Sequence, residues 1–300
     1  MLTGTWYISP TPFDEAGAVD SASLGRIVAA AASWGVDGIT ILGVMGEATD
    51  LTAAERETVL SAVAAAAAGK VPFAVGCSAP SAAVVAANVR RAVEAGAAAV
   101  MVSAPPLLKD TDQIAPFFKR TADSGVPVIV QDEPAATGVN LPVSALLAAL
   151  DASGSSVVKL EDPPTPPKIS RLLARRPDLT VFGGLGGVSA YSELRRGAAG
   201  TMTGFAYPEI LRAIRLAFER GDLEAAARIN DRFLPYIVFE GQVRIGLGIR
   251  KEVLRRRGVI TTAMTRALTP RPDQATLEEL DDVLARVGLT PSIEPLEVTP

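Results

Sequence analysis

The 300-residue sequence contains no histidine and a single cysteine. The missing histidine excludes Ser-His-Asp and Cys-His catalysis, histidine-ligated metals and histidine acid/base chemistry. Cys77 alone can form neither an intrachain disulfide nor a zinc cluster, and its place in the apolar run FAVGCS indicates a buried structural thiol. Any catalysis must therefore rely on lysine, carboxylates, tyrosine or hydroxyl groups.

The sequence also lacks a basic stripe and a long uncharged apolar run. Its net charge is −4 and its pI is about 5.2, which argues against nucleic acid and anionic membranes as partners. An anionic substrate would then need local positive groups. The N-terminal MLTGTWYISP has neither the basic region nor the apolar run of a signal peptide, so we expect a cytoplasmic protein with no membrane segment.

What the sequence does contain is a regular alternation of strand-like and helix-like segments. Eight short runs, mostly continuously apolar, are typical of parallel strands buried on both faces. They lie near residue 6 and at 38–42, 73–78, 98–103, 127–133, 155–161, 180–186 and 200–204. Helices are predicted after them over 21–34, 52–68, 81–95, 111–124, 142–152, 167–175, 189–196 and 208–220, the second with a Thr52–Glu55 capping box.

Eight strands alternating with eight helices can form a closed barrel or a doubly wound sheet. The even spacing favours the barrel, and neither GVMGE nor the late GGLGG matches the dinucleotide-binding pattern. We therefore predict an α/β fold, a (β/α)8 TIM barrel over residues 1–221. Three further helices, over 222–239, 243–257 and 274–287, predict a C-terminal helical extension over 222–290, followed by a loose tail over 291–300. PPTPP at 163–167 is predicted to be a rigid loop.

Lys159 is the first candidate for chemistry. The C-terminal ends of barrel strands carry the active site, and this lysine interrupts the apolar strand SSVVKLED near that end. Desolvation there would raise the fraction of neutral amine, which addition to a carbonyl requires. The alternative is a strand-end lysine paired with Glu161 or Asp162, with its tip in water. The position alone does not decide between the two.

The loop after the second strand is the second candidate. It reads Gly43, Val44, Met45, Gly46 and Glu47. Its glycines allow close approach of the backbone to a ligand, and successive amides near a helix start can hold a carboxylate. Glu47 could orient the loop or act in acid/base chemistry. The alternative is a plain tight turn before the next helix.

Further candidates follow strands 5, 7 and 8. Gln131 could donate a hydrogen bond to a substrate hydroxyl or hold a water, whereas we interpret Glu133 as a helix-cap or surface carboxylate. Gly184 could keep the barrel mouth open for contact between backbone and ligand. Thr203 could bind a substrate oxygen. A pure packing role for the glycines is an equal alternative.

Together these segments resemble the dihydrodipicolinate synthase / N-acetylneuraminate lyase family over roughly residues 5–290. The resemblance rests on TPFDEAGAVD, GVMGEATDLTAAER, PVIVQDEPAATG, VVKLED and GAAGTMTG, in that order. It implies a barrel with a C-terminal helical extension that forms a homo-oligomer, a tetramer or dimer. It also implies that Lys159 forms a Schiff base and that GVMGE holds the carboxylate of a 2-oxo acid.

Three departures from this family argue against dihydrodipicolinate synthase activity itself. Val44 and Met45 replace two adjacent hydroxyl residues, Gln131 stands where the family has a proton-shuttling tyrosine, and Ala135-Ala136-Thr137 replaces an arginine-bearing stretch. QD-x-P, K-x-E, MTG and KEVLRRRGVI look closer to the 2-keto-3-deoxy sugar-acid dehydratases, in particular the 2-keto-3-deoxyarabonate dehydratases.

The function expected from these residues is that of a Schiff-base lyase acting on a pyruvate-type 2-oxo acid. The first candidate is a 2-keto-3-deoxy sugar-acid dehydratase or aldolase. The Lys159 amine would add to C2, and the imine would act as electron sink, so neither a metal nor an organic cofactor is expected. Glu47, Gln131 with an ordered water, or Thr203 would handle protons. The alternatives are 4-hydroxy-tetrahydrodipicolinate (dihydrodipicolinate) synthase and a non-catalytic barrel that binds a 2-oxo acid.

Overall fold

A computed structural model shows a closed barrel of eight parallel strands, as predicted. It describes residues 2–106, 108, 110–121, 124–266 and 270–299. Each strand pairs with the next one along the chain, and the last returns to pair with the first. The strands are β1 (Gly4–Ile8), β2 (Gly38–Ile41), β3 (Phe73–Gly76), β4 (Ala99–Ser103), β5 (Val128–Asp132), β6 (Val157–Leu160), β7 (Thr180–Gly183) and β8 (Gly200–Thr203).

Helices surround the barrel and continue into the C-terminal extension. Around the barrel they are α1 (Ser21–Ser33), α2 (Ala53–Ala67), α3 (Ala82–Glu94), α4 (Ile114–Lys119), α5 (Pro134–Thr137), α6 (Val143–Ala152), α7 (Thr165–Leu173), α8 (Ala190–Leu194) and α9 (Pro208–Glu219). The extension contributes α10 (Leu223–Glu240), α11 (Gly246–Arg256) and α12 (Gln274–Val287).

Local sequence signals account for several of these elements. Thr52 caps α2 in the predicted capping box, because its hydroxyl accepts from the Glu55 amide at 3.3 Å while the Glu55 carboxylate accepts from the Thr52 amide at 2.9 Å. Cys77 is buried as predicted, and burial raises the pKa of its thiol to about 12, so it is a poor nucleophile.

Three local predictions differ from the structure. The helix expected over 111–124 is a 3-10 turn at Thr111–Gln113 followed by the short α4, and residues 122–123 lie outside the described part of the chain. α5 was not predicted, although Pro134 suits a first helical position. α7 begins at Thr165 rather than 167, since the prolines of PPTPP fit its first turn.

The C-terminal extension packs back onto the barrel. α10 packs against α9 and α12. The tail, which we expected to be loose, is hydrogen-bonded to the rest of the chain. Arg257 donates to the carbonyl oxygen of Ser292 at 2.8 Å, and Trp34 donates to that of Ile293 at 3.1 Å. None of the described helices is long and apolar enough to span a membrane.

The barrel interior determines where the functional side chains lie. Side chains alternate along a strand, so residues two apart share a face. Two residues beyond the inward-facing Ile129 and Val157 come Gln131 and Lys159, at the C-terminal mouth. The interior below them is closed by a cluster of buried apolar residues: Trp6, Ile8, Ala74, Ala99, Met101, Ile129, Val157, Phe182 and Met202.

Candidate active site

A cavity of about 420 Å³ lies at the C-terminal mouth of the barrel. This is a common size for a small-molecule site. Its walls come from the barrel strands, the loops after β2, β5, β6, β7 and β8, and the extension. The lining residues are Ile8, Val44, Met45, Met101, Gln131, Glu133, Lys159, Glu161, Leu185, Gly186, Val188, Thr203, Gly204, Ile237, Val238, Gly241 and Arg250.

Lys159 is buried and opens onto this cavity, with 3% of its surface exposed. Its Nζ lies 2.5 Å from Oε2 of Glu161. The pairing with Glu161 considered as an alternative is therefore present, but it is buried at the cavity and does not lead the lysine tip into water. Asp162 instead pairs with Lys168, at 2.7 Å.

Gln131 joins the lysine to a second carboxylate. Its Nε2 donates to Oε2 of Glu161 at 2.9 Å and to Oε2 of Glu133 at 2.6 Å. Since both partners are acceptors, only the amide orientation with nitrogen toward them satisfies the pair. Gln131, Glu133, Lys159 and Glu161 form one hydrogen-bonded group, which we call the lysine cluster.

Glu133 has the protonation behaviour of an acid/base group. Burial, and next the negative charge of Glu161, raise its pKa to about 7, while Lys159 acts in the opposite direction. A carboxyl with a pKa near neutrality can both accept and donate a proton at physiological pH. Our interpretation of Glu133 as a cap or surface group needs correction, because it stands at the N-cap of α5 but its side chain does not cap the helix.

Glu161 is held from two sides. Its Oε2 faces Lys159 and Gln131, and its Oε1 accepts from the Leu185 amide at 3.2 Å. A Cβ at Gly184 would lie 2.3 Å from Glu161 Oε1, so glycine is needed there to admit this carboxylate. Gly184 is thus next to the cluster without lining the cavity. Both missed carboxylates could have been found in the sequence, since each lies two residues beyond a predicted site residue.

The loop after β2 forms a 3-10 turn over Val44–Gly46. Its first internal hydrogen bond runs from the Gly46 amide to the Gly43 carbonyl at 3.0 Å, so the amides of Val44 and Met45 precede the bonded part of the turn. Val44 and Met45 line the cavity, and so does Thr203, whereas Gly43 and Gly46 do not.

Glu47 turns away from the cavity. Its buried carboxylate contacts the Lys251 ammonium of α11 and accepts from the Arg266 amide at 2.6 Å. Burial lowers the pKa of Lys251 to about 8, and Glu47 partly offsets that effect. The geometry therefore supports a role for Glu47 in fixing the loop to the extension and not, as one of our expectations had it, a role in moving protons at the substrate.

Arg250 is the lining residue that sequence reasoning missed most completely. It comes from α11, and its Nε donates to Oε1 of the fully buried Glu240 at 2.8 Å. Oε2 of Glu240 in turn accepts from the Tyr236 hydroxyl at 2.6 Å. A guanidinium therefore reaches the cavity although the stretch after strand 5 offers none. Among the described lining residues there is no tyrosine, in agreement with Gln131 at the expected tyrosine position.

The comparisons with known proteins agree with this architecture. Residues 1–285 match the Dihydrodipicolinate synthetase family. An L-2-keto-3-deoxyarabonate dehydratase from Azospirillum brasilense is 31% identical over 293 residues, which cover 95% of this chain and 94% of that protein. A 4-hydroxy-tetrahydrodipicolinate synthase from Xanthomonas axonopodis pv. citri is 31% identical over 263 residues, covering 86% of each. The crystal structure of dihydrodipicolinate synthase from Rhodopseudomonas palustris superposes with a TM-score of 0.90 at 34% identity, covering 95% of this chain and 97% of that one.

Proposed function

This chain belongs to the dihydrodipicolinate synthetase family, and we propose that it is a lyase in which Lys159 forms a Schiff base with a 2-keto-3-deoxy sugar acid. The observation that carries the proposal is the lysine cluster: a buried lysine at the barrel mouth, hydrogen-bonded to a carboxylate and opening onto a cavity. The dehydratase relative, which is similar along nearly its whole length, favours loss of water over other outcomes.

Imine formation needs a neutral amine. Glu161, at 2.5 Å from Nζ, can accept the proton of the Lys159 ammonium, so that the amine attacks C2 of the substrate. Loss of the C2 oxygen as water then gives a protonated imine. We propose that the amides of Val44 and Met45 hold the carboxylate next to C2, because successive N–H groups bind anions without a charged side chain.

The protonated imine draws electrons from C3, so a C3 proton becomes removable. We propose Glu133 as the base, because its pKa of about 7 suits both removal of that proton and later donation to a departing C4 hydroxyl. Gln131 holds the Glu133 carboxylate in the lysine cluster through its 2.6 Å hydrogen bond. Departure of the hydroxyl as water would leave an unsaturated imine on Lys159. Addition of a water to C2 would then break the C2–N bond, releasing the dehydrated 2-oxo acid and the free amine.

A substrate screen tests this proposal. Purified protein is incubated with five- and six-carbon 2-keto-3-deoxy sugar acids, and nuclear magnetic resonance follows the 2,5-dioxo acid, the sign of dehydration, and pyruvate, the sign of carbon–carbon cleavage. Lys159→Arg is the matched control, because arginine retains a positive charge beside Glu161 but is not deprotonated in proteins. Binding without either product would instead favour a non-catalytic barrel.

Dihydrodipicolinate synthase remains the second candidate. Arg250 favours it, since a guanidinium in the cavity could meet the carboxylate of a second substrate. Gln131 argues against it, because an amide cannot act as an acid as a phenol can. A synthase assay with pyruvate and aspartate semialdehyde decides the matter, and turnover matching that of a biosynthetic enzyme would move this activity into first place.

A further inference from the structure

Arg250 is the second cationic group of the cavity, and it enters from a different layer of the molecule than Lys159. Lys159 projects from β6 inside the barrel, whereas Arg250 belongs to α11 of the extension. Ile237, Val238 and Gly241, from the end of α10 and the residue after it, also line the cavity. A molecule bound as an imine at Lys159 would therefore share one cavity with the guanidinium.

Among the described residues, the Arg250 side chain has one charged partner, which it binds through Nε. Its Nε bonds to Glu240, which is anchored by the Tyr236 hydroxyl and by the Ala206 amide at 3.2 Å. The side chain is 11% exposed, so little water reaches it. Holding an arginine by Nε leaves its two terminal nitrogens facing forward as a fork.

That fork has no strong acceptor among the described residues. Nη1 lies 2.9 Å from Sδ of Met45, and a thioether is a weak acceptor. Nη2 lies next to Gly186, where an added Cβ would be only 3.0 Å away, so the glycine allows the guanidinium to reach this position at the cavity. Within the described chain, the one ion pair of Arg250 is through Nε. A mostly buried guanidinium with unfilled donors, aimed into a cavity, fits a planar anion.

We propose that Arg250 determines specificity by binding a second carboxylate at the far end of the 2-oxo acid. The inference rests on the proposed function and narrows its substrate class: 2-keto-3-deoxy acids that end in a carboxylate, rather than those that end in a hydroxymethyl group. A terminal carboxylate can accept two parallel hydrogen bonds from the fork, whereas a hydroxymethyl group leaves donors unfilled and charge uncompensated.

Two five-carbon probes isolate the far end of the substrate. 2-Oxoglutarate and 2-oxopentanoate share the 2-oxo acid head but differ in having a carboxylate or a methyl group at the other end. Each is titrated in the presence of borohydride, and intact-protein mass spectrometry gives the concentration for half-maximal trapping. The ratio of the two half-maximal concentrations is calculated for each protein separately. A variant that forms imines less well with both probes equally therefore keeps its ratio.

In the wild type we expect 2-oxoglutarate to half-saturate at a concentration at least ~10-fold lower than 2-oxopentanoate, as for a charge-assisted bidentate contact. Arg250→Met should reduce the ratio to about one. Arg244→Met is the matched control, because it removes an exposed arginine of the same segment that does not line the cavity, and the ratio should persist. Arg250→Met leaves the buried Glu240 carboxylate without its guanidinium partner. The double variant Glu240→Gln/Arg250→Met removes that charge as well and should give the same ratio as Arg250→Met.

Equal trapping of both probes by the wild type would overturn the inference, as would an Arg250→Met variant that keeps the wild-type ratio. A loss that is equal for both probes would place Arg250 at the head carboxylate, which also contradicts it. If the wild type traps no 2-oxo acid at all, pyruvate included, the proposed function fails separately. Calorimetric binding of 2-oxoglutarate then decides on Arg250: binding that Arg250→Met abolishes supports the site, and binding that it leaves unchanged does not.

Discussion

Gln131 and Lys159 are register partners on β5 and β6, and both donate to the same oxygen, Oε2 of Glu161, at 2.9 and 2.5 Å. Their inward orientation follows from the alternation of the two strands, so the barrel itself sets the spacing of the amide and the amine. Oε2 of Glu161 can act in acid/base catalysis only if it exchanges a proton with the Lys159 amine.

Gln131→Ala should lower kcat by about 10- to 100-fold, at or below the lower end of the roughly 10²- to 10⁴-fold range for positioned proton transfer, because Gln131 positions the carboxylates and does not itself transfer the proton. The variant loses the donor that both Glu133 and Glu161 use, so the carboxylates repel each other with less compensation. The pKa of Glu133 should rise further, moving the acidic limb of the pH–kcat profile to higher pH. Gln113→Ala, an exposed glutamine away from the cavity, is the control. An unchanged profile in Gln131→Ala would make Gln131 a loop residue only.

Glu133 should control the pH dependence of the reaction. Its pKa is about 7, so a base at this position is active only when deprotonated, and kcat/KM should fall as the pH drops through about 7. Glu133→Gln cannot lose or gain a proton in this range. We expect it to lose roughly 100-fold in rate and to lack that limb. A retained limb near the same pH would assign the titration to another group.

Glu193 offers a test on stability rather than on rate. It is buried, Thr165 donates to its Oε1 at 2.5 Å, and its Oε2 has no partner among the described residues. Burial raises its pKa from 4.5 to about 7. The folded protein thus holds this proton more tightly than the unfolded chain does. The contribution of protonated Glu193 to the free energy of unfolding is therefore complete below about pH 4.5 and is lost as the pH rises to about 7.

Glu193→Gln should remove this loss. The melting temperature of the variant minus that of the wild type should increase from pH 5 to pH 8, roughly the window set by the two pKa values. The reason is that the variant has no carboxyl to ionise at this position. Thermal denaturation of both proteins at matched ionic strength measures the difference. The same difference at both pH values would mean that Glu193 does not titrate in this window.

Glu47→Gln should mainly affect folding. The substitution leaves the Lys251 ammonium buried without its carboxylate, and removing one partner of a buried ion pair costs about 3–5 kcal/mol. Denaturant titration should show this loss in the free energy of unfolding, and the pH profile of the residual activity should keep its shape. If stability is unchanged while an acidic limb disappears, Glu47 moves protons after all, as one of our sequence-based expectations allowed.

The sequence predicted the barrel well because each strand is a local apolar run and most of the helices have local start and stop signals. Lys159 and Gln131 were predictable for the same reason, since polar residues that end apolar strands must face the mouth or the solvent. α5 escaped prediction because four residues carry too little periodicity. Position along the strand could have revealed Glu133 and Glu161, but not whether their side chains enter the cavity.

The remaining parts of the site depend on contacts between distant segments. Arg250 reaches the cavity, and Glu47 turns to Lys251, only because the extension folds back over the loop after β2. No local pattern in GLGIRKE indicates which side chain faces the barrel. The homo-oligomer expected from the family resemblance stays a prediction, which sedimentation of the purified protein can test.

The Lys159 amine should form a covalent imine with a 2-oxo acid, and reductive trapping detects that bond itself. The protein is incubated with pyruvate and borohydride, digested, and mapped by mass spectrometry, with Lys159→Arg treated in parallel. We predict the mass of one reduced pyruvyl group on the peptide that contains Lys159, and no such adduct in the variant. An unmodified Lys159 in protein that turns over a 2-oxo acid, or an adduct on another lysine such as Lys251, would show that Lys159 is not the residue that forms the imine.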